Sequence, residues 1–201
     1  MKFDGTAWAE KLSVGHNDVV VDLGCGEGKL LKALAPLIFH GIGLDMSAIA
    51  LERGRRGLKD AGIKNIELRR QDFRKLNVPS SSVKAVVSLW ALHHVEDDAK
   101  RMVLEKIRDA LVPGGLLNLE DDTFNFQPER FGEMVPAMYR EFEERFGRDG
   151  WEVLKRELDG EDFECTPYLD ALLSMIRLAG LDVISVTELG LNGAVVRARH
   201  P

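Results

Sequence analysis

Apolar and polar positions fall in blocks along this chain, and the blocks read as strands and helices in regular succession. Residues 19–23 are a short apolar run, as a strand buried on both faces requires. Residues 29–36 carry a helical period that Pro36 stops, and 41–45 form a second short buried strand. Ser47 is placed to cap a helix running to about Asp60, with Gly62 beyond its end. Residues 65–70 alternate as a third strand, and 83–90 are a near-continuous apolar run, read as a fourth, buried strand. Asp97 and Asp98 open a helix that reaches Val112, where Pro113, Gly114 and Gly115 end it. Residues 116–120 give a fifth strand. Thr166 and Pro167 are expected to cap and start another helix, with apolar positions at Leu169, Leu172, Leu173, Ile176 and Leu178. Residues 181–189 and 194–198 are two further strands, joined by a tight turn from Gly190 to Gly193.

Strands alternating with helices predict an α/β fold: a doubly wound, mainly parallel sheet with helices on both faces. The closing hairpin adds at least one antiparallel strand. The expectation is a single domain over residues 1–201.

One segment breaks the rhythm. Between the fifth strand and the Thr166 helix lie about 45 residues where a short connection would do. Nine of the 14 aromatic residues fall between Phe124 and Tyr168: Phe124, Phe126, Phe131, Tyr139, Phe142, Phe146, Trp151, Phe163 and Tyr168. Residues 121–165 also hold 14 acidic and 6 basic side chains, a net charge of −8 in a chain of net charge −6. The expectation is a helical, aromatic-rich insertion that hoods a substrate pocket at the carboxyl end of the sheet.

Composition narrows the classes. At 201 residues the chain can bury a full core. No apolar run approaches the roughly 20 residues of a membrane span, and the start of the chain lacks the apolar core of a signal peptide. A cytoplasmic location, no membrane and no nucleic-acid partner are expected, since neither the total charge nor the acidic segment offers a basic track for phosphates. Cys25 and Cys165 are too few for a structural zinc site and are read as reduced thiols; no metal is expected.

The chemistry concentrates at the end of the first strand. Asp22 precedes Gly24, Gly26 and Gly28 at alternate positions, and a helical pattern follows. A strand feeding a glycine turn and a helix brings backbone amides against a ligand. The G-x-G-x-x-G of dinucleotide enzymes has another spacing, which disfavours a nicotinamide-dependent reductase. Asp45 ends the second strand, 23 residues after Asp22, where a carboxylate can accept two ribose hydroxyls.

On these residues the chain resembles the class I S-adenosylmethionine (SAM)-dependent methyltransferases, whose first motif reads as a hydrophobic strand followed by Asp/Glu-x-Gly-x-Gly-x-Gly. The resemblance extends over roughly residues 14–198. It runs through the apolar fourth strand from Val83 to Trp90, the His93-His94 pair that follows it, and Leu111, Pro113, Gly114 and Gly115 before the fifth. It implies a Rossmann-like sheet of seven strands with the last inserted antiparallel beside the fifth. It implies SAM as cofactor, with S-adenosylhomocysteine as product. Asp22, Gly24, Cys25, Gly26 and Gly28 would meet the amino-acid end, Asp45 the ribose, Met46 and Phe73 the adenine face, and Asp72 the adenine amine. Leu89 and Trp90 would line the methyl region. Of the two histidines, one is expected to be buried and structural and the other, His94, to face the acceptor as a general base. Tyr139, Tyr168 and Glu120 are further candidates for that role. Unlike many relatives, the chain has only 18 residues before its first strand, so Phe3 and Trp8 are expected to cover part of the cofactor.

The reading is a methyltransferase acting on a neutral or cationic small molecule, as a monomer or homodimer. Its rivals are a methyltransferase acting on protein or RNA, and a SAM-binding regulator without transfer activity.

Overall fold

The computed structural model describes residues 3–158 and 165–201, with the side chains of 145, 146 and 148–158 excepted. In chain order the elements are α1 (Gly5–Leu12), β1 (Val19–Leu23), α2 (Lys29–Leu34), β2 (His40–Asp45), α3 (Ala48–Asp60), β3 (Ile66–Arg70), β4 (Val83–Leu89), α4 (Asp97–Ala110), β5 (Leu111–Phe124), α5 (Phe131–Leu158), α6 (Leu169–Leu178), β6 (Asp182–Glu188) and β7 (Asn192–Arg199). They build one seven-stranded sheet in the order β3-β2-β1-β4-β5-β7-β6. Strands β1 to β5 run parallel, and β7 lies antiparallel between β5 and β6.

Alternation along the strands sends successive side chains to two cores. Val20, Ala85 and Val87 pack with Leu12 of α1, Leu30, Leu31 and Leu34 of α2, and Leu51 and Leu58 of α3. Val21, Val86, Leu117, Leu119 and Val196 pack on the other face with Val103, Leu104 and Ile107 of α4 and Leu172 and Ile176 of α6. Burial on both faces is why the inner strands read as apolar runs. Strand order reverses between β1 and β4, and a doubly wound sheet opens its ligand crevice beyond the carboxyl ends of the strands at that switch.

Several boundaries differ from the sequence reading. Helix α1 was not foreseen. Its cap is Asp4, whose Oδ1 accepts from the Thr6 and Ala7 amides at 2.9 and 3.2 Å. Helix α4 ends at Ala110 and not Val112, because Leu111 already pairs with Val83 of β4. Strand β5 runs on to Phe124, held by pairing with β7 as far as Asn192. Thr166 and Pro167 do not start a helix. Pro167 O accepts from the Phe124 amide at 2.9 Å and Tyr168 bridges to Phe124, so this stretch extends beside β5 before α6 begins at Leu169.

The insertion after β5 is helical over α5, with a break in helical geometry at Gly147. Phe124, Phe126, Phe131 and Tyr168 stack on one another, with ring centroids 5.3–6.4 Å apart. Glu141 of α5 accepts from the Leu191 amide at 2.9 Å and so ties α5 to the β6–β7 turn. The side chains of Phe146, Trp151 and Phe163 lie outside the described residues.

Candidate active site

Two cavities open at the switch point, and they meet at Gly24 and Trp90. The first, about 470 Å³, is lined by Gly24, Asp45, Met46, Asp72, Phe73, Arg74, Trp90, Ala91, His94 and Val95. The second, about 400 Å³, is lined by Phe3, Asp22, Gly24, Cys25, Gly26, Glu27, Lys29, Leu30, Ala50, Leu89 and Trp90. Every residue the sequence assigned to the cofactor lines one or both, apart from Gly28, which caps α2 from below the turn.

The turn is built for close approach. Gly24 has φ +74°, and a Cβ there would lie 2.3 Å from Ala91 Cβ. At Gly26, by contrast, no protein atom lies within 4 Å of a Cβ position, so that space is left open beside the cavity. The turn is pinned from β2: Asp45 Oδ2 accepts from Gly26 N at 2.7 Å, and its Oδ1 accepts from Ser47 N at 2.7 Å. Both Asp45 oxygens are therefore engaged by backbone, and a ribose would take their remaining lone pairs. Asp22 is 3% exposed beneath the turn. Burial first, and then the charge of Asp45, pushes its carboxyl up to about 7. Burial, with Asp22 and Asp45 beside it, likewise pushes the Cys25 thiol up.

Asp72 has a local task. Its Oδ1 accepts from Arg74 N at 2.9 Å, and both its oxygens take the Arg74 guanidinium, which holds the carboxyl below the usual carboxylate range. It still lines the cavity beside Phe73.

Trp90 occupies a left-handed backbone conformation, φ +53°, unusual for a bulky residue. Its amide donates to Glu120 O at 2.8 Å, and it walls both cavities. Such strain persists where surrounding structure over-determines it, as at ligand sites.

The two histidines part as the chain turns. His94 is exposed and lines the larger cavity. His93 is 4% exposed and its Nδ1 is hydrogen-bonded to Asp121. Asp121 also accepts from Leu92 N at 2.8 Å and His93 N at 3.2 Å. One ligand atom each from His93, Asp121 and Asp122 lie within 4.8 Å of one another. Within this group His93 Nδ1 and Asp121 are joined by a direct hydrogen bond.

The other acceptor-side candidates stand apart. Glu120, Tyr139 and Tyr168 line neither cavity. Glu120 acts on Lys11 of α1, opposing the lowering of that ammonium by burial. Tyr168 belongs to the aromatic stack, and Tyr139 is half-buried on α5. Of the two residues expected to cover the cofactor, Phe3 lines the second cavity, while Trp8 packs edge-on against Phe3 and under the Lys11 ammonium. Sequence reasoning placed Asp121 with Glu120 and Asp122 at the end of the fifth strand, as an acceptor contact or a solvated turn, but missed its bond to His93 and missed Lys100, because those partners lie 28 and 65 positions away.

The glycine turn, Asp45, Met46, Asp72 and Phe73 thus border adjoining cavities at the carboxyl ends of the parallel strands. Comparison with known proteins adds the following. Residues 20–115 match the methyltransferase-domain family. Carboxy-S-adenosyl-L-methionine synthase of Salmonella paratyphi C is 28% identical over 174 residues, covering 84% of this chain and 69% of that protein. An uncharacterised methyltransferase of Mycobacterium bovis is 35% identical over 98 residues, 49% of this chain and 47% of its own length. In fold, the chain is similar to the YcgJ protein of Bacillus subtilis (TM-score 0.73, 14% identity, 98% of this chain and 97% of that one) and to geranyl diphosphate C-methyltransferase of Streptomyces coelicolor (TM-score 0.71, 15%, 98% and 79%). Over residues 20–115 the chain thus matches a methyltransferase domain, and its seven-stranded sheet has the fold of those solved structures. No described helix is long and apolar enough to cross a membrane.

Proposed function

We propose that this enzyme transfers the methyl group of SAM to a small, neutral or cationic acceptor and releases S-adenosylhomocysteine. The observation that carries the reading is the meeting of the two cavities at Gly24 and Trp90. In this reading Asp22 and the amides from Gly24 to Gly28 bind the amino-acid end of the cofactor, with Cys25 packed among them. Asp45 takes the ribose hydroxyls, Met46 and Phe73 sandwich the adenine, and Asp72 accepts from its amine. Leu89 and Trp90 flank the methyl region.

SAM supplies an electrophilic methyl group on a sulfonium. What the chain must add is alignment of nucleophile, carbon and sulfur, and exclusion of water. Trp90 is the fixed wall for that alignment, and residues 121–165 act as the hood. Where the acceptor must lose a proton, His94 is the group assigned to take it, ahead of Tyr139, Tyr168 and Glu120, because it lines the larger of the two cavities and they line neither. The acidic surplus of the hood segment supports a neutral or cationic acceptor, and the name of the Streptomyces neighbour is compatible with a small-molecule one.

A second reading has a specific basis in the Salmonella relative: the chain moves a carboxyl group from a carboxylate co-substrate onto the methyl carbon of SAM, which gives up a proton to what remains of the donor. Incubation with methyl-labelled SAM and fractionated cell extract separates the readings. Label in a small-molecule acceptor supports the first. A SAM-derived product heavier by one carboxyl group supports the second. Label in RNA or protein overturns both, and SAM binding without any product favours a non-catalytic regulator.

A further inference from the structure

Two buried ions hold the wall of the larger cavity from outside it. The wall is the loop after β4, which presents Trp90, Ala91, His94 and Val95. Asp121, 2% exposed, gathers four donors on one carboxylate: the Leu92 and His93 amides, His93 Nδ1, and the Asp122 amide at 3.0 Å. Lys100 of α4 is fully buried. Its Nζ donates to Val95 O at 2.6 Å, to Asp97 Oδ1 at 3.0 Å and to Cys165 O. Three protons meet three acceptors, which is how an ammonium tolerates a desolvated place. Cys165 N in turn donates to His93 O at 2.7 Å.

A methionine would fill the same volume on α4 without the desolvation cost, so packing does not account for an ammonium here. Its distinguishing property is that it joins two carbonyls that repel each other, Val95 O in the wall and Cys165 O where the chain returns from the hood. We infer that Lys100 and Asp121 are positioning residues for the SAM site, and that Lys100 makes the segment starting at Cys165 part of the cavity wall. Residue 165 grips the loop at both His93 and Val95, through its own amide and through Lys100. The Asp121-bound His93 ring lies against the His94 ring, with centroids 4.0 Å apart, and so sets where His94 stands in the cavity. Neither ion touches the cavity. Filling the cavity and ordering the backbone at residue 165 are therefore coupled events, in an inference that rests on the SAM reading of the cavity.

The test is calorimetric titration with SAM, combined with amide exchange of residues 91–97 and 165–168 with and without SAM. In the wild type, SAM is expected to slow exchange at both segments. Lys100→Met is expected to weaken SAM about tenfold and to erase the SAM-dependent protection at 165–168. Lys100→Gln, which keeps N–H donors, is expected to fall between. Asp121→Asn is expected to remove the low-field proton resonance of His93 Nδ1–H and to shift the pH profile of turnover, which a loss of packing alone would not do. If Lys100→Met fails to fold, Cys165→Pro, which lacks the amide donor to His93 O but keeps the carbonyl that accepts from Lys100, must show the same loss of coupling. Wild-type protein that does not bind SAM overturns the cofactor reading, and the inference falls with it. Wild-type binding, with variants that bind as tightly and exchange alike, overturns the inference alone.

Discussion

The carboxylate of Asp45 buttons the glycine turn, accepting from the Gly26 amide at 2.7 Å across 19 positions of sequence. One residue at the end of β2 thereby shapes the loop at the end of β1. Asp45→Ala should open the turn and leave the Gly26 and Ser47 amides without this partner. The expected results are a loss of about 1–3 kcal/mol of stability and of about tenfold or more in SAM affinity, measured by urea unfolding and calorimetry. Asp45→Asn keeps only one acceptor oxygen and should fall between.

Asp22 gives the protein a pH signature. Its folded carboxyl sits at about 7, above the ordinary 3.8, because burial and Asp45 disfavour the charge. The folded state then holds a proton that the unfolded state has released, so stability falls as pH rises from about 4 to about 7 and levels beyond. Asp22→Asn should gain stability relative to wild type over that window, by about 1–3 kcal/mol at about pH 8 and little at about pH 4. Thermal unfolding at the two pH values reads this directly. If Asp22 receives the cofactor's ammonium, SAM affinity of the wild type should rise with pH through the same window, and that of the variant should not.

Trp90 separates strain from function. Gly at this position relieves the left-handed backbone, whereas Ala does not. Trp90→Gly should therefore be about 1 kcal/mol more stable than Trp90→Ala, although both lose the wall and bind SAM weakly. Unfolding and calorimetric titration of the two variants side by side check this. Trp90→Phe should retain most of the affinity.

Gly24→Ala tests the cradle. The added methyl meets Ala91 Cβ at 2.3 Å and cannot be absorbed without moving the wall. An expected loss of about 1–3 kcal/mol, with SAM binding reduced below detection in calorimetry, distinguishes a packed cradle from a loose turn.

The sheet was legible because its strands are buried on both faces or bounded by strong punctuation. Val19–Leu23 and Val83–Leu89 announce themselves as apolar runs, and Ser47 caps α3 as read, accepting from Ala50 N at 3.2 Å. Where local signals met long-range pairing, pairing won. The Pro113-Gly114-Gly115 stop suggested a break that Leu111 and Val83 bridge, and Thr166-Pro167 looked like a helix start until Phe124 claimed its backbone. Most of the residues that line the two cavities were legible because they lie in short stretches of chain at strand ends. Asp121 was visible only as one of three adjacent acidic residues, 120–122, at the end of the expected fifth strand, and Lys100 as one more polar position on an amphipathic helix. Nothing local marks an ion whose partners arrive from elsewhere in the fold.

Strand β7 lies inside the sheet and not at its rim, so the order of synthesis and the order of space disagree. Residues 192–199 clamp β5 along its length from Leu116 to Phe124, and β5 carries Asp121. While those residues are still missing, β5 has a bare edge and the loop bearing His94 lacks a stable anchor. Residues 22–95 supply most of the lining of the two cavities, yet the strand that anchors their wall is completed only by β7. Folding of this enzyme is thus gated late, and a nascent or clipped chain is exposed as a sticky half-sheet before it becomes a catalyst.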